Sequence, residues 1–201
     1  PKPSSAASDV YKRQNLFLTS RSYMMQALSL RYSDFESKMM KKESVNFKID
    51  DVPYLYWLSG SMAGSIQASQ GDPEHLIDLT NIRWLLENAI VLDPSWEKGS
   101  LYAAMMSVYL NDLSGDQDSE RKALEYFELA DRAANGYNIG IYVTLAESFA
   151  VSKQDKSYFL ELIHKALTID ISKDKDMKQA NKLSKLRAKW LLTRVDELFY
   201  M

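Results

Sequence analysis

The sequence predicts an all-α fold, a helical solenoid of antiparallel helix pairs closed by a capping C-terminal helix. Three observations support this fold class. Apolar residues recur at spacings of three and four along most of the chain, as on the buried face of an α-helix. A small–large–small apolar pattern recurs three times, and charge-free helical segments alternate with charged ones. Together they predict repeated helix pairs.

The recurring pattern is clearest at residues 89–94, AIVLDP, where Pro94 ends one helix and suits the first turn of the next. The other copies centre on Ala130 and Ala166. The intervals of 41 and 36 residues lie near the period of about 34 residues of tetratricopeptide repeats. We therefore predict a tetratricopeptide-like solenoid with loop insertions. Ala89, Ala130 and Ala166 should be buried between the helices of their pairs.

The first fourteen residues are set apart from this pattern. Residues 4–14, SSAASDVYKRQ, match the in-frame translation of a transposase-based sequencing adaptor; the alternative is a natural polar N-terminal tail. Segments of such origin are excluded from fold reasoning. We expect residues 1–14 to be disordered and free of tertiary contacts, and residues 15–201 to form a single domain. We also expect that the natural N-terminus, with any signal peptide or lipid-attachment cysteine, is missing from this fragment.

The helices follow from apolar spacing and from caps and stops. A helix over residues 16–30 is followed by a short one over 35–40, for which Ser33 and Asp34 offer a cap. Asn135 and Gly136 should end a charged helix, as residues at a helix C-terminus do. The remaining helices are predicted at residues 53–69, 72–94, 94–111, 120–133, 138–151, 156–169 and, capped by Asp174 or Asp176, up to residue 199.

Composition excludes several classes of function. The chain has a net charge of −2 and no cysteine, so neither nucleic-acid binding nor thiol chemistry is indicated. Glu161 and His164 have the spacing of a di-iron ligand pair, but that site needs a second copy. The Lys- and Arg-rich last helix is interpreted as a solvated face. We predict no catalytic, metal or cofactor site, and the protein is not expected to be an enzyme.

Three helices with long charge-free stretches, at 53–69, 94–111 and 138–151, which we name the charge-free helices, occupy the place of first helices in each pair. First helices line the concave side of a solenoid. We therefore predict a concave apolar surface for a ligand or a partner subunit. The alternative is that these helices are simply core, because aromatic stripes at helical spacing are often buried. The residues predicted to line the surface are Tyr54, Trp57, Met105, Tyr109, Tyr142 and Phe149.

From residue 15 to 201 the chain resembles the T-component (TatT) family of tripartite ATP-independent periplasmic (TRAP) transporters. The C-terminal run is the most specific part of the resemblance, and Ser184, Lys185 and Ile171 depart from the family's usual residues. The matching segments are DVPYLYW at 51–57, residues 86–94, Gln154 and Asp155 with Phe159, NKL at 181–183, RAKWLL at 187–192 and RVDELF at 194–199.

The resemblance implies an all-helical, water-soluble accessory protein of the periplasm that is lipid-anchored and associates with the solute-binding subunit of a transporter. It also implies a possible homo-oligomer, since some members form trimers around a central opening. The competing hypothesis is a general tetratricopeptide adaptor that docks a peptide tail. Adaptors for carboxylate-ended tails place Lys and Arg on their concave helices. The central turns of the charge-free helices hold neither, which favours apolar contact.

Overall fold

The computed structural model describes residues 5–68, 78–112 and 117–200. Within these ranges the all-α prediction is confirmed, because the chain forms helices and turns and no strand. The chain divides into two compact units, Pro1–Trp96 and Glu97–Met201. The tetratricopeptide-like repeat geometry and the single domain expected from residue 15 stay predictions.

The first unit is built on helix α3 (Val52–Ala68), which packs against both α1 (Ser5–Arg31) and α4 (Asp78–Leu92). Phe17 of α1 approaches Gly64 near the end of α3, whereas Arg31 at the end of α1 lies over Tyr54 at its start. These contacts show that α1 and α3 are antiparallel. The helices described in this unit are α1 Ser5–Arg31, α2 Phe35–Lys41, α3 Val52–Ala68 and α4 Asp78–Leu92, with a 3₁₀ turn at Ile49–Asp51.

Helix α1 starts well before the predicted position. It begins at Ser5 instead of residue 16, and no Pro or Gly interrupts the sequence between Ser5 and Arg31. Once a helix is nucleated, each further residue adds one hydrogen bond at little cost. Gln14 also donates a hydrogen bond from Nε2 to the Ala68 carbonyl at 3.0 Å. The described residues 5–14 therefore differ from the disordered, contact-free segment we expected. Their origin in a sequencing adaptor stays a prediction.

The core of the first unit holds an aromatic cluster. Phe47 lies edge-on to Tyr32 and Trp84, with ring centroids 5.2 and 5.6 Å apart, and Phe35 packs beside both Phe47 and Trp84. Ala89 is completely buried, as predicted. The aromatic rings come from α2, α4, the turn between α1 and α2, and the segment between α2 and α3, so they hold the unit's helices together. The other buried apolar residues are Leu28, Met39, Val52, Leu55, Leu58, Met62, Ile82, Leu85 and Leu86.

The second unit packs α5 against α6, and α9 against both α7 and α8. Lys122 lies over the Tyr109 ring, while Gly99, at the other end of α5, lies against Ala130, so α5 and α6 are antiparallel. The elements are a 3₁₀ turn at Trp96–Lys98, α5 Ser100–Leu110, α6 Gln117–Ala133, α7 Ile139–Leu145 continuing as a π turn Ala146–Ala150, α8 Lys156–Thr168, α9 Lys178–Leu192 and α10 Val195–Leu198.

Two predicted helix ends and one predicted cap are wrong. Helix α5 begins at Ser100 instead of Pro94, because Glu97, Lys98 and Gly99 have φ of 45°, 56° and 83°, which a right-handed helix cannot include. The single last helix is divided, since α9 ends at Leu192 and α10 starts at Val195. Asp34 is left-handed, and among the described residues its side chain makes no capping hydrogen bond to α2. The predicted helix start at residue 72 lies outside the described residues.

Two other predictions are confirmed in the second unit. Ala130 and Ala166 are completely buried. The stop after α6 is also correct, because Asn135 and Gly136 adopt left-handed φ and the Gly136 N–H donates to the Asp131 carbonyl at 2.9 Å. The second core contains these alanines together with Ile139, Leu145, Phe159, Leu162, Ile163, Ala188 and Leu191.

A buried amide connects the last long helix to α7. Asn181 is almost completely buried, and its Nδ2 donates to the Tyr137 carbonyl at 2.7 Å. Its Oδ1 accepts from the Ile139 N–H at 3.0 Å. That N–H belongs to the first turn of α7 and has no partner within its own helix. Asn181 therefore satisfies groups at the start of α7 and fixes the position of α9.

Candidate functional site

An aromatic cluster of the first unit contains two of the six predicted surface residues, Tyr54 and Trp57. Trp57 leaves 58% of its surface exposed. It lies edge-on to Tyr56, with centroids 5.2 Å apart, and Tyr56 lies 4.6 Å from Trp96. Tyr54 is half-buried, and the Arg31 guanidinium lies over it, 5.5 Å from the centre of the Tyr54 ring. The rings thus form a supported aromatic ledge at the start of α3.

A buried carboxylate holds the start of α3 in place. Asp51, the residue before the helix, is completely buried, and its Oδ1 lies 2.6 Å from the Nε of Arg31. Its Oδ2 accepts from the Lys48 N–H at 2.7 Å and also from the Tyr32 hydroxyl. Burial, and then the hydrogen bond to Asp51, raises the pKa of Tyr32 above its ordinary value. This network orients Arg31 over Tyr54 at the start of α3.

Helix α3 presents one uncharged face to solvent. Its exposed positions recur at spacings of three and four, which places them on one side of the helix. They are Pro53, Trp57, Gly60, Ala63 and Gln67. The opposite side packs on α1 and α4 through Leu55, Leu58 and Met62. We name the exposed positions the α3 face. It is polar only at Gln67 and aromatic only at Trp57, so it can be desolvated without removing a charge from water.

The two glycines of α3 have different roles. A Cβ on Gly64 would lie 2.3 Å from the Phe17 ring, so this glycine permits the close approach of α1. A Cβ on Gly60 would meet nothing within 4 Å in the described chain. Gly in a helix interior is destabilising by about 0.5–1 kcal/mol relative to Ala. No contact within the described chain requires a glycine at position 60. Because Gly60 has no side chain, the α3 backbone there is open to close approach by another molecule.

The second unit has a small cleft that contains Tyr109 and Phe149, from α5 and the π turn. Its volume is about 200 Å³. Tyr109 stacks on Tyr126, with centroids 5.7 Å apart. The rest of the lining is Leu110, Asp112, Ser119, Glu120, Ser148 and Ser152. Ser119 donates to Asp112 at 2.8 Å, and Glu120 pairs with Lys153. The cleft is therefore mixed in polarity, whereas the sequence predicted an apolar surface.

Met105 and Tyr142 do not lie on a surface. Met105 is completely buried, and Tyr142 is nearly so, with its ring edge-on to Phe127 at 5.2 Å. The Tyr142 hydroxyl donates to Asp131 Oδ1 at 2.7 Å. Burial, and then this hydrogen bond, raises the pKa of Tyr142 well above its ordinary value. Their places on the predicted surface are corrected to core positions, because a charge-free helix can be buried on every side.

Sequence reasoning missed Tyr56 and Trp96, which complete the ledge around Trp57. Tyr56 was within reach, since it lies beside Trp57 in the aromatic run at residues 54–57. Trp96 carried no such signal, because it follows Pro94 in a segment predicted to be helical. Its 3₁₀ turn, and not helical spacing, brings it to Tyr56.

The described residues form neither a cluster of metal ligands nor a membrane span. Across the described ranges no three His, Asp or Glu side chains converge as metal ligands would. Glu161 and His164 are both exposed on α8. In the part of the chain that the structure describes, no helix combines the length and hydropathy that a membrane span needs.

The fold and this site define an all-helical protein with an exposed, uncharged aromatic face, a type of surface used to bind other proteins. The chain belongs to the TRAP transporter T-component family, whose model matches residues 4–199. Membership supports a role as a transport accessory, and the family is not one of enzymes. The match begins inside the segment interpreted as an adaptor translation.

A relative occurs in Treponema pallidum (strain Nichols), an uncharacterized protein 25% identical over 205 residues. The alignment covers 96% of this chain and 62% of that protein. The chain thus spans less than two thirds of the length of this relative.

Proposed function

We propose that this protein is the periplasmic accessory component of a TRAP transporter and that it binds the transporter's solute-binding subunit through the α3 face. The observation that carries the proposal is the exposed Trp57 on a helix without charge. Family membership supports the transport setting. A lipid anchor and a homo-oligomer such as a trimer are further parts of the proposal, which rest on the family resemblance.

The energetics favour Trp57 as the anchor of this contact. Burying its exposed 58% would remove roughly 90–145 Å² of largely apolar surface from water. At about 25 cal/mol per Å² this is worth about 3 kcal/mol before the costs of association. Tyr56 packs against the Trp57 ring and is itself packed on Trp96, so less side-chain freedom remains to be lost. Gly60, one turn further along, allows a partner backbone to approach closely.

The cleft beside Tyr109 and Phe149 supports a second candidate, binding of a small organic ligand. Its volume of about 200 Å³ is below the range of about 300–1,000 Å³ typical of drug-sized sites. Only a small molecule would fit, between two aromatic rings and with Ser148 and Ser152 as polar contacts. A large apolar ligand is not favoured by this geometry.

The test of partner binding is calorimetry with the purified solute-binding protein of the same transporter. Trp57→Ala should weaken binding by about 1–3 kcal/mol, roughly 5- to 150-fold, as the loss of a hot-spot aromatic does. Gly60→Ala should also weaken it, although the added methyl meets nothing within the described chain. The matched control is Tyr23→Ala, an exposed aromatic residue on α1, which should leave binding unchanged.

Circular dichroism and the melting temperature should stay near wild type for Trp57→Ala, because the ring is largely exposed. Wild-type affinity in a folded Trp57→Asp variant would eliminate the α3 face as the binding surface. If neither Trp57→Ala nor Gly60→Ala changed the affinity, the solute-binding protein would have to contact another surface of this chain. Light scattering of the same variants reports whether the α3 face contributes to an oligomer.

A further inference from the structure

Helix α9 carries an exposed apolar row that the fold does not use. Leu183, Leu186 and Trp190 are 69%, 63% and 45% exposed, and spacings of three and four place them along one side of the helix. The other side contains the buried residues Asn181 and Ala188 and packs against α7 and α8. The row therefore faces away from the core. Three neighbouring large apolar side chains on one helix are more than the isolated exposed residues of an ordinary surface.

The charges of this helix are all of one sign. In a chain with a net charge of −2, α9 has five basic residues and no acidic one. Lys182 and Lys189 flank the row on one side. On the other, Arg187 lies with its guanidinium 4.1 Å from the Trp190 ring centre, and Arg194 follows at 5.4 Å. We name the apolar row and these flanking cations the α9 face.

Some of this positive charge is already compensated. Glu147 of the π turn pairs with Arg187, and Glu197 pairs with Arg194. Lys185 donates to the Leu167 carbonyl at 2.6 Å. Lys182 and Lys189 are exposed beside Leu186 and Trp190 and extend the positive side of the row. Their charge therefore remains available to an anionic partner in solution.

We propose that the α9 face docks this protein on an anionic phospholipid surface. Helices that lie in the membrane interface combine an apolar stripe of Leu and Trp with flanking Lys and Arg, as the α9 face does. Trp rings concentrate at the level of the lipid headgroups. Lysine stems can lie along the apolar layer while their ammonium groups reach the phosphates. The negative potential of an anionic leaflet attracts such a basic segment.

Two other occupants fit the α9 face less well. A second copy of the chain would bring two positive faces together, and like charges repel. A protein partner would be expected to insert an anchoring side chain into a pocket on this surface. The cleft at Tyr109 and Phe149 is lined by no residue of α9. A lipid surface needs no pocket because its headgroups and chains rearrange around the inserted side chains. The inference does not depend on the α3 face.

The experiment is co-sedimentation of the 201-residue chain with vesicles of phosphatidylcholine, with or without phosphatidylglycerol. We expect binding to the anionic vesicles, weaker binding to the neutral ones, and release at high salt. Leu183→Ser with Leu186→Ser should lower the vesicle partition coefficient about tenfold or more, because it removes two side chains from the apolar stripe. Lys182→Gln with Lys189→Gln should lower the coefficient severalfold and reduce its salt dependence.

Matched control variants distinguish binding through the α9 face from non-specific adsorption to the vesicles. Leu30→Ser with Val91→Ser removes two strongly exposed apolar residues elsewhere, and Lys41→Gln with Lys165→Gln removes two exposed charges elsewhere. Both control pairs should bind the vesicles like wild type. The blue shift of tryptophan emission on binding should be lost in Trp190→Phe, which tests directly whether Trp190 enters the interface.

Equal losses in the control pairs would overturn the proposal, as would equal binding to neutral and anionic vesicles. Absence of vesicle binding would overturn it too, and it would do so even if an acidic protein bound the α9 face. All variants change exposed positions, so circular dichroism should confirm that each one is folded before its binding is compared.

Discussion

The two glycines of α3 provide a matched pair of substitutions on one helix. Gly60→Ala adds a methyl group that meets nothing within 4 Å in the described chain. It should raise the free energy of unfolding by about 0.5–1 kcal/mol, because Ala is the better residue in a helix interior. Gly64→Ala gains the same helix propensity, but its methyl would lie 2.3, 2.4 and 2.6 Å from three atoms of the Phe17 ring.

Carbon atoms in ordinary contact lie about 3.5–4.0 Å apart, so at Gly64 the ring or α1 must move by more than 1 Å. Overpacking of this kind costs about 1–3 kcal/mol. After the gain in helix propensity, Gly64→Ala should lower the free energy of unfolding by up to about 2 kcal/mol. The two substitutions should therefore shift stability in opposite directions, although they are chemically identical and only one turn apart.

Urea and thermal denaturation give the measurement, with a change of about 2–4 °C in melting temperature per kcal/mol for a chain of this length. A double-mutant cycle tests the contact between Phe17 and position 64 directly. Phe17→Leu should lower the free energy of unfolding less in the Gly64→Ala background than in wild type, with a coupling energy of about 0.5–3 kcal/mol. If Gly64→Ala stabilised the protein as much as Gly60→Ala does, the packing of α1 on α3 described here would be refuted.

Three further predictions concern the second unit. Ala130→Leu should cost about 1–3 kcal/mol because Ala130 is completely buried against Gly99; a neutral result in urea denaturation would contradict this packing. Asn181→Leu should cost about 2–4 kcal/mol, since it leaves the Tyr137 carbonyl and the Ile139 N–H without their partner; an unchanged free energy of unfolding would exclude this reason. The raised pKa of Tyr142 means that above pH about 10 the unfolded chain loses its proton first, so its contribution to stability, complete below that pH, falls as the pH rises. Tyr142→Phe should make the alkaline loss of stability less steep, and an unchanged pH profile of the melting temperature would be inconsistent with the shift.

The candidate site was only partly predictable from sequence. The run at residues 54–57 indicated an aromatic surface, and the structure places Trp57 and Tyr54 on the ledge beside Tyr56 and Trp96. Met105 lacked any distinguishing signal, because charge-free helices show no polar face from which their orientation could be inferred. The basic residues of the last helix were visible and indicated a solvated face, but they did not show which apolar residues of that helix are exposed. Only packing shows that α9 buries Asn181 and Ala188 and leaves the row of Leu183, Leu186 and Trp190 exposed.

The features that depend only on neighbouring residues could be predicted from the amino-acid sequence alone. Helical spacing, the small residues at Ala89, Ala130 and Ala166, and the stop at Asn135 and Gly136 are local and could be read directly. The tertiary structure decided which face of each helix is buried, where the left-handed turn before α5 delays its start, and how Asp51 becomes a buried anchor. These outcomes depend on contacts between residues far apart in sequence, such as Phe17 with Gly64 and Asn181 with Tyr137. Local patterns carry no information about such pairs, because burial is a property of the neighbours that the fold brings together.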